Sequence, residues 1–291
     1  MFVSHVALVS QTKRVSFGQL AIAGAAIQKQ ITRDFGPIWE IEADVAAFET
    51  LSNVPLGYWP IIIMDNIHKD AQGIHLNKAN GQPFALVQFS DNWALTTSHE
   101  CLEMLADPSG NRTQAGNSVK PNQGRVEYLV EVCDPSEAAQ FGYSVNGVLL
   151  SDFYTPHFFD PVVAVGVRYS FTGAIVQPRQ VLDGGYLSWF DPESRHVFQL
   201  FVSDGDGEFV DRGPLPNGFG SLRIFADRFS TDHRMKAMTG TGPAGLMLTA
   251  SLGKGGGVSA AAEGEDSVDA AQQATAYSLQ QQIDAMVKGA S

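Results

Sequence analysis

The chain has 291 residues, 44% of them hydrophobic and 17% charged, which is enough apolar mass for one full-sized core or two small ones and excludes a disordered polymer. Nineteen Lys and Arg stand against 31 Asp and Glu, a formal charge of -12, which argues against nucleic acid as a partner because that binding needs cations that release counterions from phosphates. The longest apolar runs, 60–64 and 161–167, fall far short of the roughly 20 residues that cross a bilayer, so no membrane partner is expected, and two cysteines outside any CxxC pair exclude a disulfide framework.

Val3 to Val9 reads as a first strand, with no basic segment before it and no small-residue cleavage site after it; no Sec signal is expected, and a reducing, cytoplasmic setting fits. From Ser16 to Arg33 the residues Leu20, Ile22, Ala23, Ala26, Ile27 and Ile31 recur at helical spacing behind a good N-cap, and Phe35-Gly36-Pro37 closes that helix. Trp39 to Ala43 alternates as a half-buried strand, and Tyr58 to Met64 is a continuous apolar run of the kind found in a central strand. Gly73 to Leu76 and Pro83 to Phe89 flank Asn80-Gly81, a tight-turn dipeptide, and predict a hairpin. Trp93 to Ala106 contains no Gly or Pro and stops at Asp107-Pro108, which predicts a helix.

Beyond that helix, 109–124 reads as a polar loop, Val126 to Val132 as a strand or short helix, and Asn146-Gly147 as another turn. Short strands separated by Gly, Pro and Asp follow as far as Phe229. From Thr239 onward Gly and Ala dominate, so Gly240 to Glu265 is expected to be a flexible linker. Asp266 to Lys288 is either a terminal helix with Leu279, Ile283 and Met286 on one stripe, able to dock on a protein partner, or a frayed tail, and the tail is preferred. The expected fold class is α+β, with units at 1–160, 161–238 and 239–291.

The chemistry concentrates in Ser98-His99-Glu100-Cys101-Leu102-Glu103. Side chains four apart share a helix face, so His99 and Glu103 can converge on one cation, with Asp107 extending the row. Glu100 stands at the offset of the glutamate that, in HExxH metallopeptidases, accepts a proton from the attacking water. Position 103 is Glu where that motif has its second His; a carboxylate still ligates zinc but weakens its Lewis acidity. For the third ligand Asp107, Glu131, Asp134 and His157 compete, Asp107 being preferred and Glu131 next. Cys101 points away from His99 and reads as a buried structural thiol, and Cys133 as core. His68 and His75 read as solvated surface residues, and Asp204 to Glu208 as an exposed acidic turn rather than a calcium loop.

The order strand, helix, strand, strand, edge strand, motif helix resembles the N-terminal half of the zincin superfamily, metzincins and gluzincins included. With no Gly followed by a third His after the helix, and no Met between Met104 and Met235 to form a Met-turn, the chain is not a strict metzincin. The resemblance implies a zincin-like first half, zinc at the motif helix, Glu100 as general base, and a peptide or protein substrate paired along the edge strand, placed at Phe84, Leu86 and Gln88. In the gluzincin plan a glutamate on a later element completes the site, which would be Glu131. The motif string, with Glu131-Val132-Cys133-Asp134-Pro135 and Ser151-Asp152-Phe153, also resembles a group of bacterial and phage proteins without established activity. That likeness keeps open a second expectation, an inactive zincin-like scaffold that serves as an interaction or structural protein.

Overall fold

The computed structural model describes residues 3–67, 71–78, 80–227 and 265–288. Strand β1 (Val3–Ser10) leads into α1 (Phe17–Lys29), whose Ser16 cap forms a reciprocal capping box with Gln19. The helix does not stop before Phe35: a π-helical stretch, Gln30–Phe35, and the short α2 (Gly36–Trp39) continue it until Glu40 turns left-handed at φ 55°. The second strand therefore starts later than the alternation at Trp39 suggested.

Strands β2 (Glu42–Phe48), β3 (Trp59–Met64), β4 (Gly73–Asn77) and β5 (Pro83–Gln88) join β1 in a five-stranded sheet of order β2-β1-β3-β5-β4. Every pairing is parallel except the β4–β5 hairpin, whose turn holds Gly81 at φ 83°. The antiparallel edge is consequently β4. Strand β5 is hydrogen-bonded on both sides, which corrects the placement of Phe84, Leu86 and Gln88 along an edge: their strand has no free backbone to offer a peptide.

Alternation decides what each face meets. Val6, Leu8, Ile61, Ile63, Ala85 and Val87 pack in the main core with α1 and helix α3 (Trp93–Ala106), and the register His75↔Ala85 turns Gly73 and His75 to that same side. Ile62, Leu76, Phe84 and Leu86 form a cluster on the other side. Helix α3 has thirteen buried residues, so it lies under other elements rather than on the surface.

A second sheet, β12-β11-β10-β7-β6, is antiparallel throughout and joins β6 (Thr113–Asn117) and β7 (Arg125–Leu129) to β10 (Tyr186–Phe190), β11 (His196–Ser203) and β12 (Asp206–Pro214). It draws on both sides of residue 160, and the main core runs continuously from β1 to Phe198. The polar stretch after α3 contains β6 because its partner β7 supplies the ladder that its composition does not advertise. A small hairpin, β8 (Tyr143–Val145) and β9 (Val148–Leu150), turns at Asn146-Gly147 as expected. Asp204 and Gly205, both at positive φ, form the exposed turn between β11 and β12.

Two helices complete the described chain, α4 (Leu222–Asp227) and α5 (Glu265–Lys288). The preference for a frayed tail is corrected for 265–288: Leu279 and Ile283, 2% and 0% exposed, close the Ile62–Leu86 cluster, so the apolar stripe covers the chain's own sheet. The proposed linker, through Gly264, lies outside the described residues, as does His68. Among the described residues, no helix is long and apolar enough to cross a membrane.

Candidate metal centre

Helix α3 carries His99, Glu100 and Glu103 into the seam between the first sheet and the chain that follows β7. They are 0%, 0% and 1% exposed. The segment 131–137 crosses this helix after β7. It is held by Cys133 N–H donating to Glu103 Oε1 (3.1 Å), by Tyr154 N–H donating to Val132 O (2.8 Å), and by Leu182 N–H donating to Pro135 O (2.8 Å). Gly185 lies so close that a Cβ there would stand 2.6 Å from Pro135 O and 2.7 Å from Asp134 O. A 3-10 turn, Asp134–Ser136, then brings Asp134 and Glu137 to one side, because side chains three apart eclipse in that geometry.

His99 Nε2 lies 3.1 Å from Glu103 Oε2 and 3.4 Å from Asp134 Oδ1. Three groups of side chains can each converge on one cation: His99, Glu103 and Cys133; His99, Asp134 and Glu137; and His75, Glu103 and Glu131. The structure thus brings His99, Glu103, Glu131 and Asp134 together, as the sequence allowed. It adds three residues that sequence reasoning passed over: His75, Cys133 and Glu137. His75 was read as solvated but is 2% exposed; its alternation with Ile74 and Leu76 was the signal that one face of β4 would meet α3.

Two expected ligands are corrected. Asp107 is buried, but Oδ1 accepts from Asn111 N–H and Ser109 Oγ–H and Oδ2 accepts from Arg112 N–H, so its carboxylate is used to close the turn after the helix. His157 sits on an exposed turn, its side chain 58% accessible and paired with Asp160 at 3.0 Å, outside the cluster. Cys101 is fully buried, and burial pushes its thiol up to about 12.

Glu100 faces the edge strand. Its Oε2 is 3.0 Å from His75 Nδ1, and a Cβ on Gly73 would collide with its Oε1 and with Thr96. Only glycine at 73 lets β4 lie this close to the helix.

The electrostatics of this seam are unbalanced. Glu100, Glu103, Glu131, Asp134 and Glu137 expose no more than 5% of their surface, and among the described residues the two imidazoles and Arg223, itself 2% exposed, face them. Five buried carboxylates against one permanent positive charge is a costly arrangement. Burial and these charges both act on the groups' pKa values. Burial lowers the His99 pKa, but Glu103 and Asp134 outweigh it and hold the imidazole well above its usual range. Burial, then Glu103, drives Glu131 well above the usual carboxylate range, with Arg223 opposing. Burial and Arg223 lower His75. Neither oxygen of Glu131 has a hydrogen-bond partner, nor has His99 Nδ1, and the buried Tyr154 hydroxyl has none either; His99 Nε2 is paired with Glu103 and Asp134. Imidazole, carboxylate and thiol groups converging in this way could hold a metal ion.

Compared with protein-family models, with curated proteins and with solved structures, the chain shows no match. The functional reading therefore rests on the site itself.

Proposed function

We propose that the protein is a zincin-like metalloprotein in which a divalent cation, zinc first, is held by His99 and Glu103 with Asp134 completing the set, and that this ion acts structurally by tying α3 to the 131–137 segment. The observation that carries this reading is the convergence of buried ligands: among the described residues, five buried carboxylates on two elements that share no ladder gather about two buried imidazoles in groups able to hold a cation. When bound, zinc would neutralise them and cross-link the two elements, as structural zinc sites do. The site residues' near-complete burial favours a closed structural centre over one that admits a peptide.

A second reading, a metallopeptidase-like hydrolase, is favoured by one arrangement. Glu100 stands one residue from His99 and touches the antiparallel edge strand β4, where an extended peptide could add a strand. In that reading Glu100 takes the proton from the water that attacks the peptide carbonyl, and an ion held by His99 and Glu103 would supply Lewis-acid stabilisation there.

Elemental analysis of protein purified without chelator or affinity metal separates these readings from no site at all. At least one equivalent of zinc in wild type and at least one equivalent fewer in His99→Ala is the expected result, with chelation lowering the melting temperature. Wild type that carries no zinc and takes none up would overturn both readings. Glu100→Gln then divides them: the structural reading expects zinc retained and no peptide turnover in either protein, whereas the hydrolase expects wild-type turnover on a peptide library and its loss in the variant.

A further inference from the structure

His75 is the residue that the single-ion account leaves unexplained. Its imidazole is inserted between three carboxylates: Nδ1 lies 3.0 Å from Glu100 Oε2 and 3.8 Å from Glu103 Oε2, and Nε2 lies 3.5 Å from Glu131 Oε2. Nε2 has no hydrogen-bond partner, and neither has either oxygen of Glu131. Both residues are buried, at 2% and 5% exposure, so water does not serve them as it would on a surface. Arg223 does not resolve this. Its Nη1 is directed at the Asp107 carbonyl (3.4 Å), and Nε and Nη2 have no partner, so it makes no paired contact with Glu131.

His75 converges with Glu103 and Glu131, and His99 converges with Glu103 and Cys133 and, in a second group, with Asp134 and Glu137, so Glu103 is shared between the two imidazoles. Its Oε2 is the atom that approaches each histidine, while Oε1 is anchored by the Cys133 N–H. A carboxylate shared in this way is how two-metal sites hold their ions about 3.5–4 Å apart.

We propose that the centre takes two divalent cations: a second site formed by His75 and Glu131, bridged through Glu103 to the ion at His99 and Asp134. The proposal rests on the first site above. With His75 on the edge strand and Glu131 beyond β7, the second ion would pin β4 to the other sheet's chain, a role distinct from tying α3 to the 131–137 segment. Two divalent ions also match the five carboxylates and Arg223 far more closely than one does.

The test is zinc stoichiometry on chelated full-length protein, by titration calorimetry and by elemental analysis after dialysis against zinc chloride. Wild type should bind two equivalents, Glu131→Gln and His75→Ala one each, and His99→Ala no more than one. Glu131→Gln preserves shape where His75→Ala removes a packed ring from the strand, so a folded Glu131→Gln that still binds two would overturn the second site. One equivalent in wild type, unchanged in His75→Ala, overturns the second site and leaves the first standing. One equivalent abolished by His75→Ala makes His75 a ligand of a single ion and also overturns the proposal. No binding at all removes both readings. A check without variants is electron paramagnetic resonance of the manganese-loaded wild type: the exchange-coupled multiline spectrum of a bridged pair is expected, and an isolated six-line signal alone contradicts it.

Discussion

Asp107 and Asp134 are both buried aspartates near Glu103, yet they do opposite things, and the difference lies in what already faces their oxygens. Asp107 follows the helix directly, so its carboxylate meets the backbone N–H groups of Asn111 and Arg112 before it can meet a cation. Asp134 enters from another element and points at His99. Replacing Asp107 by Ala should therefore cost about 1–3 kcal/mol of folding stability, the usual penalty for stranding buried donors, measured by urea unfolding, while zinc content stays at the wild-type level. Loss of zinc in that variant would restore Asp107 to the ligand set. Helical spacing put Asp107 in line with His99 and Glu103, but the helix ends at Ala106 and Asp107 leaves helical geometry at φ -132°; competition from the local turn could not be read from the spacing.

At the scale of elements, two close approaches position the centre. Gly73 lets β4 rest on Glu100, and Gly185, at the start of the second sheet's β10, leaves room for the Asp134 carbonyl. Neither glycine has a left-handed backbone; each is required by space alone. A Gly185→Ala chain must push the 134–135 backbone aside by several tenths of an ångström or more, because the obstructing atoms are carbonyl oxygens rather than flexible side-chain ends. Its expected signature is a zinc affinity reduced by at least about tenfold with the second sheet still folded, read by calorimetry alongside near-ultraviolet circular dichroism. Unchanged affinity would show that Asp134 is not held from this side. The hairpin at Asn80-Gly81 was legible from its turn residues, but which of its strands lies at the edge was not. That depends on β5 pairing with β3, a contact between residues more than twenty positions apart.

For the whole molecule, the first sheet is covered on both faces. Helices α1 and α3 cover one, and α5, more than 170 residues downstream of β5, closes the other with Leu279 and Ile283. Composition favoured a frayed tail because Gly and Ala bury little, but two well-placed side chains suffice where a flat apolar patch of Ile62, Phe84 and Leu86 is waiting. Leu279→Ala should lower global stability by about 2–5 kcal/mol in equilibrium unfolding, the range for a buried leucine cut back to alanine. A change under about 0.5 kcal/mol, the range of ordinary surface substitutions, would show that the helix is not docked in solution. Because α5 lies across the sheet from α3, zinc content should be unaffected in the protein that remains folded.

Local pattern determined the elements themselves: the strand periods of Val3 to Val9 and Tyr58 to Met64, the capped helix at Ser16, the two Asn-Gly turns, and a motif helix with His99 and Glu103 on one face. Each depends on neighbours within a turn or two, which is the range over which backbone sterics, capping and side-chain periodicity act. Tertiary structure alone decided which of the candidate carboxylates meet His99. It also turned His75 inward from β4, gathered Glu131, Asp134 and Glu137 over α3, and spent Asp107 on a turn. Those outcomes follow from sheet order and from the packing of segments far apart in the chain, where the free energy of burying charge is set by partners that no local window contains.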